Sequence, residues 1–237
     1  MLYFMKNPSV FAFAYRNHMA TKQISPLKPR KTPRQARSEA TVDAIFEATI
    51  QVLLAEGASR LTTTRVSERA GVSVGTMYQY FPNKQALLFA VLKRHIEGVL
   101  GKVEDACSAS AGQNAAEMVQ NLLATYIQAK TANPEESIAL YGVITELDVP
   151  ELLRKFANRL IKAIETMFTS AADLEFEDVS LVTNMVHTAM TGVTRTIFEQ
   201  NAGPALIRKL HMELLVMCQS YIQAVGVARK GRPARAA

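Results

Sequence analysis

From Ser38 onward, apolar residues recur at spacings of three and four almost without a break, the period of a helix that buries one face. Val42, Ile45, Phe46, Thr49, Val52 and Leu53 define the first such face, and Gly57 is the expected cap at its end. A short second helix is predicted next, capped by the Thr63 hydroxyl. Gly71 supplies a turn, and a third short helix runs up to Pro82. Asn83 is placed to cap a longer fourth helix, whose stripe is Leu88, Val91, Leu92, His95, Ile96, Val99 and Val103 and which fades at the Ser-Ala-Gly stretch of 108–112.

The same period continues downstream. Val119, Leu122, Leu123, Tyr126 and Ile127 mark a helix closed near Asn133-Pro134, a shorter one covers about 134–147, and Pro150 suits the first turn of the next. That next helix carries Leu153, Phe156, Leu160, Ile164, Met167 and Phe168. Two long helices end the body, one through Val182, Met185, Val186, Met190, Val193 and Ile197, the other from about Pro204 through Ile207, Leu210, Leu214, Leu215, Cys218, Ile222 and Val225. The alternation of a half-buried strand is not found, so an all-α chain is expected.

The segment from Thr62 to Lys84 carries the chemistry. Val66, Ala70, Val72, Met77 and Tyr80 or Phe81 join its two short helices through apolar contact, leaving the second with a small, polar, tyrosine-bearing outer face. That is the layout of a helix-turn-helix, whose second helix enters the major groove of DNA. Recognition needs contacts that position the backbone and contacts that read bases. Thr62, Thr63, Thr64 and Arg65 at one helix start, Tyr78 and Tyr80 through their hydroxyls, and Lys84 suit phosphates. Ser73, Val74, Thr76 and Gln79 suit base edges: Gln79 can pair with adenine, and Val74 or Thr76 can touch a thymine methyl. Gly75 lets the helix approach the backbone. Alternatively, Tyr78 and Tyr80 are plain core aromatics.

The run Val66-Ser67-Glu68-Arg69-Ala70-Gly71-Val72-Ser73, then Gly75-Thr76-Met77-Tyr78-Gln79-Tyr80-Phe81, then Lys84 and Leu87 closely resembles the DNA-binding domain of the TetR family of bacterial transcriptional regulators. The resemblance covers roughly residues 38–90. Ser67 departs from the family's usual Ala, but it is small enough to fit. The resemblance implies an all-helical homodimer whose C-terminal helices dimerise and often enclose a pocket for a small molecule that releases the protein from DNA.

Charge sharpens this picture. Residues 1–38 carry eight Lys or Arg and no acid, and the last nine residues carry four and no acid. The intervening 39–228 holds 15 basic against all 21 acidic residues, so the net charge of +6 sits in the tails. Basic tails suit phosphate neutralisation, or serve solubility alone. The expected domains are a basic N-terminal extension at 1–37, a helix-turn-helix domain at 38–85, a ligand and dimerisation domain at 86–228, and a basic tail at 229–237. The Lys6-Asn7-Pro8 interruption argues against a secretory signal, and Met19 is the expected initiator, with residues 1–18 an over-long reading frame. No apolar run is long enough for a membrane span. Cys107 and Cys218 lie far apart, suggest no metal site, and fit a reducing cytoplasm.

Tyr126, Phe156, Met167, Met185, His187 and Met190 are the candidate ligand contacts, with core packing as the competing role, since Met fills irregular cores well. His95 is read as a structural link between the two parts, and Glu146 and Asp148 as solvated. No nucleophile–base pair, phosphate loop or metal-spaced cluster is present, and no cofactor is expected. The expected function is a homodimeric DNA-binding repressor, paired through its last two helices and released from a pseudo-palindromic operator by a small-molecule effector. Two alternatives stay open: a DNA-binding regulator controlled by a partner or without any ligand, and an enzyme that retains a vestigial helix-turn-helix.

Overall fold

The computed structural model describes residues 36–229; the expectations for the basic extension, for Met19 and for most of the basic tail lie outside them. Among the described residues nine helices and two short strands follow one another: α1 (Ala36–Arg60), α2 (Thr63–Ala70), α3 (Val74–Tyr80), α4 (Lys84–Ala109), α5 (Ala115–Thr131), α6 (Pro134–Glu146), α7 (Pro150–Thr169), β1 (Leu174–Phe176), α8 (Val179–Glu199), α9 (Pro204–Val225) and β2 (Gly226–Ala228).

Two hydrophobic cores form. The first gathers Ile45, Val52 and Leu53 of α1, Val66 of α2, Met77 of α3 and Leu87, Leu88, Val91 and Leu92 of α4, and is closed by Leu140 and Val143 of α6. The second joins Val99, Leu100 and Val103 of α4 to Leu122, Leu123 and Tyr126 of α5, Ile164 and Phe168 of α7, Val186 and Met190 of α8 and Leu214 and Ile222 of α9. Helix α4 therefore belongs to both, with the half-buried Ile96 packed against each. With about 1.5–3 kcal/mol per fully buried large apolar side chain, each core outweighs any single polar contact on the surface.

Local chemistry sets the helix ends. Gly57 breaks α1 with φ of +78°, and one further turn reaches Arg60. The cap of α2 is Thr62 rather than Thr63: the Thr62 hydroxyl accepts from the Arg65 backbone N–H at 3.3 Å. Helix α2 begins one residue earlier than the hydrophobic pattern suggests, which turns Thr63 inward. Gly71 ends α2 in the left-handed region, φ 66° and ψ 27°, and its N–H reaches back to the Glu68 carbonyl. Asn83 caps α4, accepting from Ala86 N–H at 2.7 Å. Ser67 is fully buried and its hydroxyl donates to the Thr63 carbonyl at 2.5 Å, so it adds no unsatisfied polar group to the α1–α2 contact.

The strands were not legible in the sequence. β1 and β2 pair antiparallel with Leu174 opposite Ala228 and Phe176 opposite Gly226, three residues each and too short to show alternation. A side chain at Gly226 would meet the Ile222 carbonyl and Leu174 at 2.8 Å, so glycine is required for the close approach. Cys107 and Cys218 are free and buried; burial pushes their thiols up to about 12 and about 11, so neither is a ready nucleophile. No cluster of His, Cys, Asp or Glu among the described residues could hold a metal, and no described helix is long and apolar enough to cross a membrane.

At Gly71 an added methyl meets open space, so the cost of Gly71→Ala is backbone strain alone, about 1–2 kcal/mol. Denaturant unfolding should show that loss with an unchanged m-value.

Candidate nucleic-acid interface and small-molecule cavity

Helix α3 is only seven residues long and buries a single side chain, Met77, in the core. Its remaining faces are open. Ser73 caps it, accepting from Thr76 N–H at 3.0 Å, and the Ser73 and Thr76 hydroxyls pair at 2.8 Å. Val74 is 39% and Tyr78 44% exposed, and Gln79 is exposed beside them. A valine and a tyrosine left in water on a short helix lose apolar burial that nothing among the described residues restores, which is what a surface built for a partner looks like.

The positioning candidates separate into two groups. Thr62 and Thr64 are exposed at the start of α2. Thr63 is buried and its hydroxyl lies 3.2 Å from that of Tyr78, so it corrects the sequence-based assignment: it sets the tyrosine rather than offering its own oxygen to a partner. Tyr80 is half-buried with its ring 6.3 Å from that of Phe81, and packs the α3 end. Arg65 is ion-paired with Glu56 and also donates to the Arg60 carbonyl at 3.1 Å, which holds it across the α1–α2 junction. The Lys84 ammonium donates to the Ala58 carbonyl and so ties the start of α4 to the end of α1. Arg69 is held to Gln51 at 2.6 Å. Arg65 and Lys84 thus have structural duties at the edge of the open face.

The second feature is a partly open cavity of about 620 Å³ lined by α4, α5, α6, α7 and α8, within the range of small-molecule sites. Leu92, Ile96, Val99, Leu153, Phe156 and Leu160 supply apolar wall. Of the candidate contacts, Tyr126, Phe156 and His187 line it. Met167, Met185 and Met190 do not: Met167 and Met190 are buried in the second core, and Met185 is 50% exposed on the outside of α8. For Met185 and Met190 the register of α8 explains this, since His187, Thr191, Thr194, Arg195 and Phe198 form the row that lines the cavity. Met167, near the end of α7, lies beyond the α7 residues Leu153, Phe156, Ala157 and Leu160 that line it. Sequence reasoning missed Lys130, His95 and Arg195 as cavity groups. Lys130 was detectable, because it continues the buried row of Leu123, Tyr126 and Ile127 at helical spacing. Glu146 and Asp148 are exposed, as expected.

Titration within the cavity is governed by burial. Burial pushes Tyr126 up to about 12, so the phenol stays protonated. His187 is lowered by burial. His95 is lowered first by burial and then by the charge of Lys130, against a raising contribution from Glu136. Its Nδ1–H donates to the Glu136 carboxylate at 3.1 Å, bridging α4 to α6. Arg195 and Glu199 are paired at 2.7 Å, and the Tyr141 hydroxyl donates to Glu199 at 3.4 Å.

Residues 45–91 match the profile of bacterial regulatory proteins of the tetR family, and residues 116–222 match the tetracyclin repressor-like C-terminal domain. The chain belongs to the TetR family. Among relatives, the nucleoid occlusion factor SlmA of Glaesserella parasuis is 31% identical over 150 residues, 62% of this chain and 66% of that one. The transcriptional repressor KstR of Rhodococcus jostii is 32% identical over 90 residues, 38% of this chain and 41% of its own length. The chain therefore spans less than two thirds of the length of either relative. SmeT, the repressor of the Stenotrophomonas maltophilia multidrug efflux pump SmeDEF, has the same TetR fold, with TM-score 0.61 at 18% identity over 82% of this chain and 96% of that one.

Because the folded values of His95 and His187 lie below the ordinary 6.5, their contribution to stability is complete above about pH 6.5 and is lost as pH falls through the lowered values. A melting series from pH 7.5 to 5 should fall, and His187→Gln should make that fall shallower.

Proposed function

We propose that this TetR-family chain is a homodimeric, sequence-specific DNA-binding transcription regulator, a repressor that a small-molecule effector releases from its operator. The observation that carries the reading is the pairing of an outward α3 face with a largely apolar cavity on the same helix, α4, that roots α3. In this reading Ser73, Val74, Thr76 and Gln79 face bases, Gly75 permits close approach, and Thr62, Thr64 and Tyr78 bond phosphates. Arg65, Tyr80 and Lys84 hold the unit in shape and reach the phosphates from its edge. The domain division at 38–85 and 86–228 follows the same logic, with α4 crossing the boundary.

Pairing of two copies accounts for a second exposed apolar surface. Leu181 and Met185 on α8 and Met212, Val216 and Met217 on α9 stand in solvent, Met212 at 58%, around an exposed Gly192 that allows close approach. Isologous contact of these two helices buries that surface and presents two α3 helices to half-sites about 10 bp apart or a multiple of that. An effector then acts by favouring a spacing that no longer fits successive grooves, for which a preference of about 1–3 kcal/mol suffices. KstR and SmeT, named as repressors, support the direction of regulation, and SmeT has also been solved with triclosan bound. A largely apolar cavity of this size favours this reading over a regulator without a ligand. A cytoplasmic location follows from the function proposed.

Tyr78→Phe removes one phosphate hydrogen bond and the Thr63 contact; operator affinity should fall about ten-fold at moderate salt while stability changes little. Operators from a random DNA pool, followed by fluorescence anisotropy, measure this, and an unchanged affinity rejects the assignment of Tyr78. In sedimentation, the native chain should run as a dimer, and Met185→Asp with Val216→Asp should give a monomer that has lost operator binding.

A further inference from the structure

The cavity holds one basic group that the described residues leave unpaired. Lys130 lies in the last turn of α5 and lines the cavity. No acid or carbonyl among the described residues is paired with its ammonium, and burial alone lowers its pKa. The other charges of the lining are accounted for: Arg195 is paired with Glu199, and His95, whose ring burial and Lys130 keep neutral at pH 7, donates to Glu136. The formal charge of the lining is thus that of Lys130. A single ammonium in an apolar enclosure is costly, because a buried charge is tolerated chiefly when it is paired. The negative end of the α5 dipole offsets about 0.3–1 kcal/mol of that cost, too little to explain a bare lysine. An apolar isostere would pack the site more stably, so the lysine is best explained by an anion that arrives from outside.

Resting on the ligand-responsive reading above, we propose that the cavity takes an amphipathic monoanion, a carboxylate on an apolar body, with Lys130 as its anchoring cation. The head group sits at the end of α5 beside His95, and the body lies along Leu92, Ile96, Val99, Phe156 and Leu160. The second polar end, Arg195–Glu199, is internally neutral and faces no demand for charge. His95 is rooted on α4 and joined to α6 through Glu136, so the head group lies against the contact that links those two helices. A carboxylate there competes with Glu136 for the imidazole N–H, which gives the ligand a direct hold on the helix that carries the reader.

The test uses the full chain and two matched pairs of probes, dodecanoate against dodecanol and 2-naphthylacetate against 2-naphthylethanol, measured by titration calorimetry. In the native protein the carboxylate of at least one pair should bind ten-fold or more tighter than its alcohol, the range of a charge-assisted hydrogen bond. Lys130→Met should abolish that preference while alcohol binding persists, which shows the cavity intact. Absence of a carboxylate preference in both pairs overturns the proposal, as does a preference that survives in Lys130→Met. Operator release is measured separately: release by the alcohols as readily as by the carboxylates sinks the anion assignment but leaves the regulator reading standing. Carboxylate binding that never affects DNA does the reverse.

Discussion

The structure depends on α4 being one continuous rod shared by two cores. Its first turns, through Leu87, Leu88 and Leu92, are packed among α1, α2 and α3, and its later turns, through Val99 and Val103, among α5, α7 and α8. At 26 residues it spans about 39 Å, so a small tilt fixed at one end displaces the other by a much larger amount. Dense cores do not deform smoothly; they shift between discrete packings. A change of packing at the middle of this rod is therefore felt by both cores. Leu140 and Val143 of α6, packed into the reader's core, give the sensor half a second grip on the same unit.

Helix α3 is short and leaves most of its side chains outside the core. Helix α3 has one buried anchor, Met77, and draws its rigidity from its ends: Gly71 before it and the Phe81 ring after it, which packs 5.7 Å from Phe46 of α1. Lysine and arginine at its margin are committed to the carbonyls and carboxylate of the α1 end, through Lys84–Ala58 and Arg65–Glu56. The side chains left on the open face of α3 itself are neutral, Gln79 and Tyr78 among them. Neutral groups discriminate bases by geometry, where free cations would mainly add salt-sensitive affinity for any duplex.

Much of this was legible in the sequence because helical periodicity and capping residues are local signals. Asn83, Gly71, Pro134 and Pro150 mark helix ends where the structure has them, and the all-α class and family follow from residues close together in the chain. What escaped was set by distant packing. Thr62 takes the cap from Thr63 because Thr63 is drawn to Tyr78, fifteen residues on. The β1–β2 pair joins segments some fifty residues apart, each too short to show a period. Met185 and Met190 share one helix but not one direction, and only the packing of α8 against α5 and α7 distinguishes core from surface there. Met167 lies near the far end of α7, away from the cavity. Lys130 was visible as a cation on an apolar row, but that no acid of the described residues pairs with it depends on the packing of α5 against its neighbours.

The small β1–β2 ribbon bears on how motion is shared out. It fastens the end of α9 to the segment between α7 and α8, with the Arg229 N–H on the Asp173 carbonyl at 2.8 Å and the Arg229 guanidinium on Glu175 at 3.1 Å. Asp173 in turn accepts from Ala115 N–H at 2.8 Å and seats the start of α5. The end of α9 and the segment leading into α8 are thus tied at one point to the start of α5, so three helices share a single polar anchor at the base of the second core.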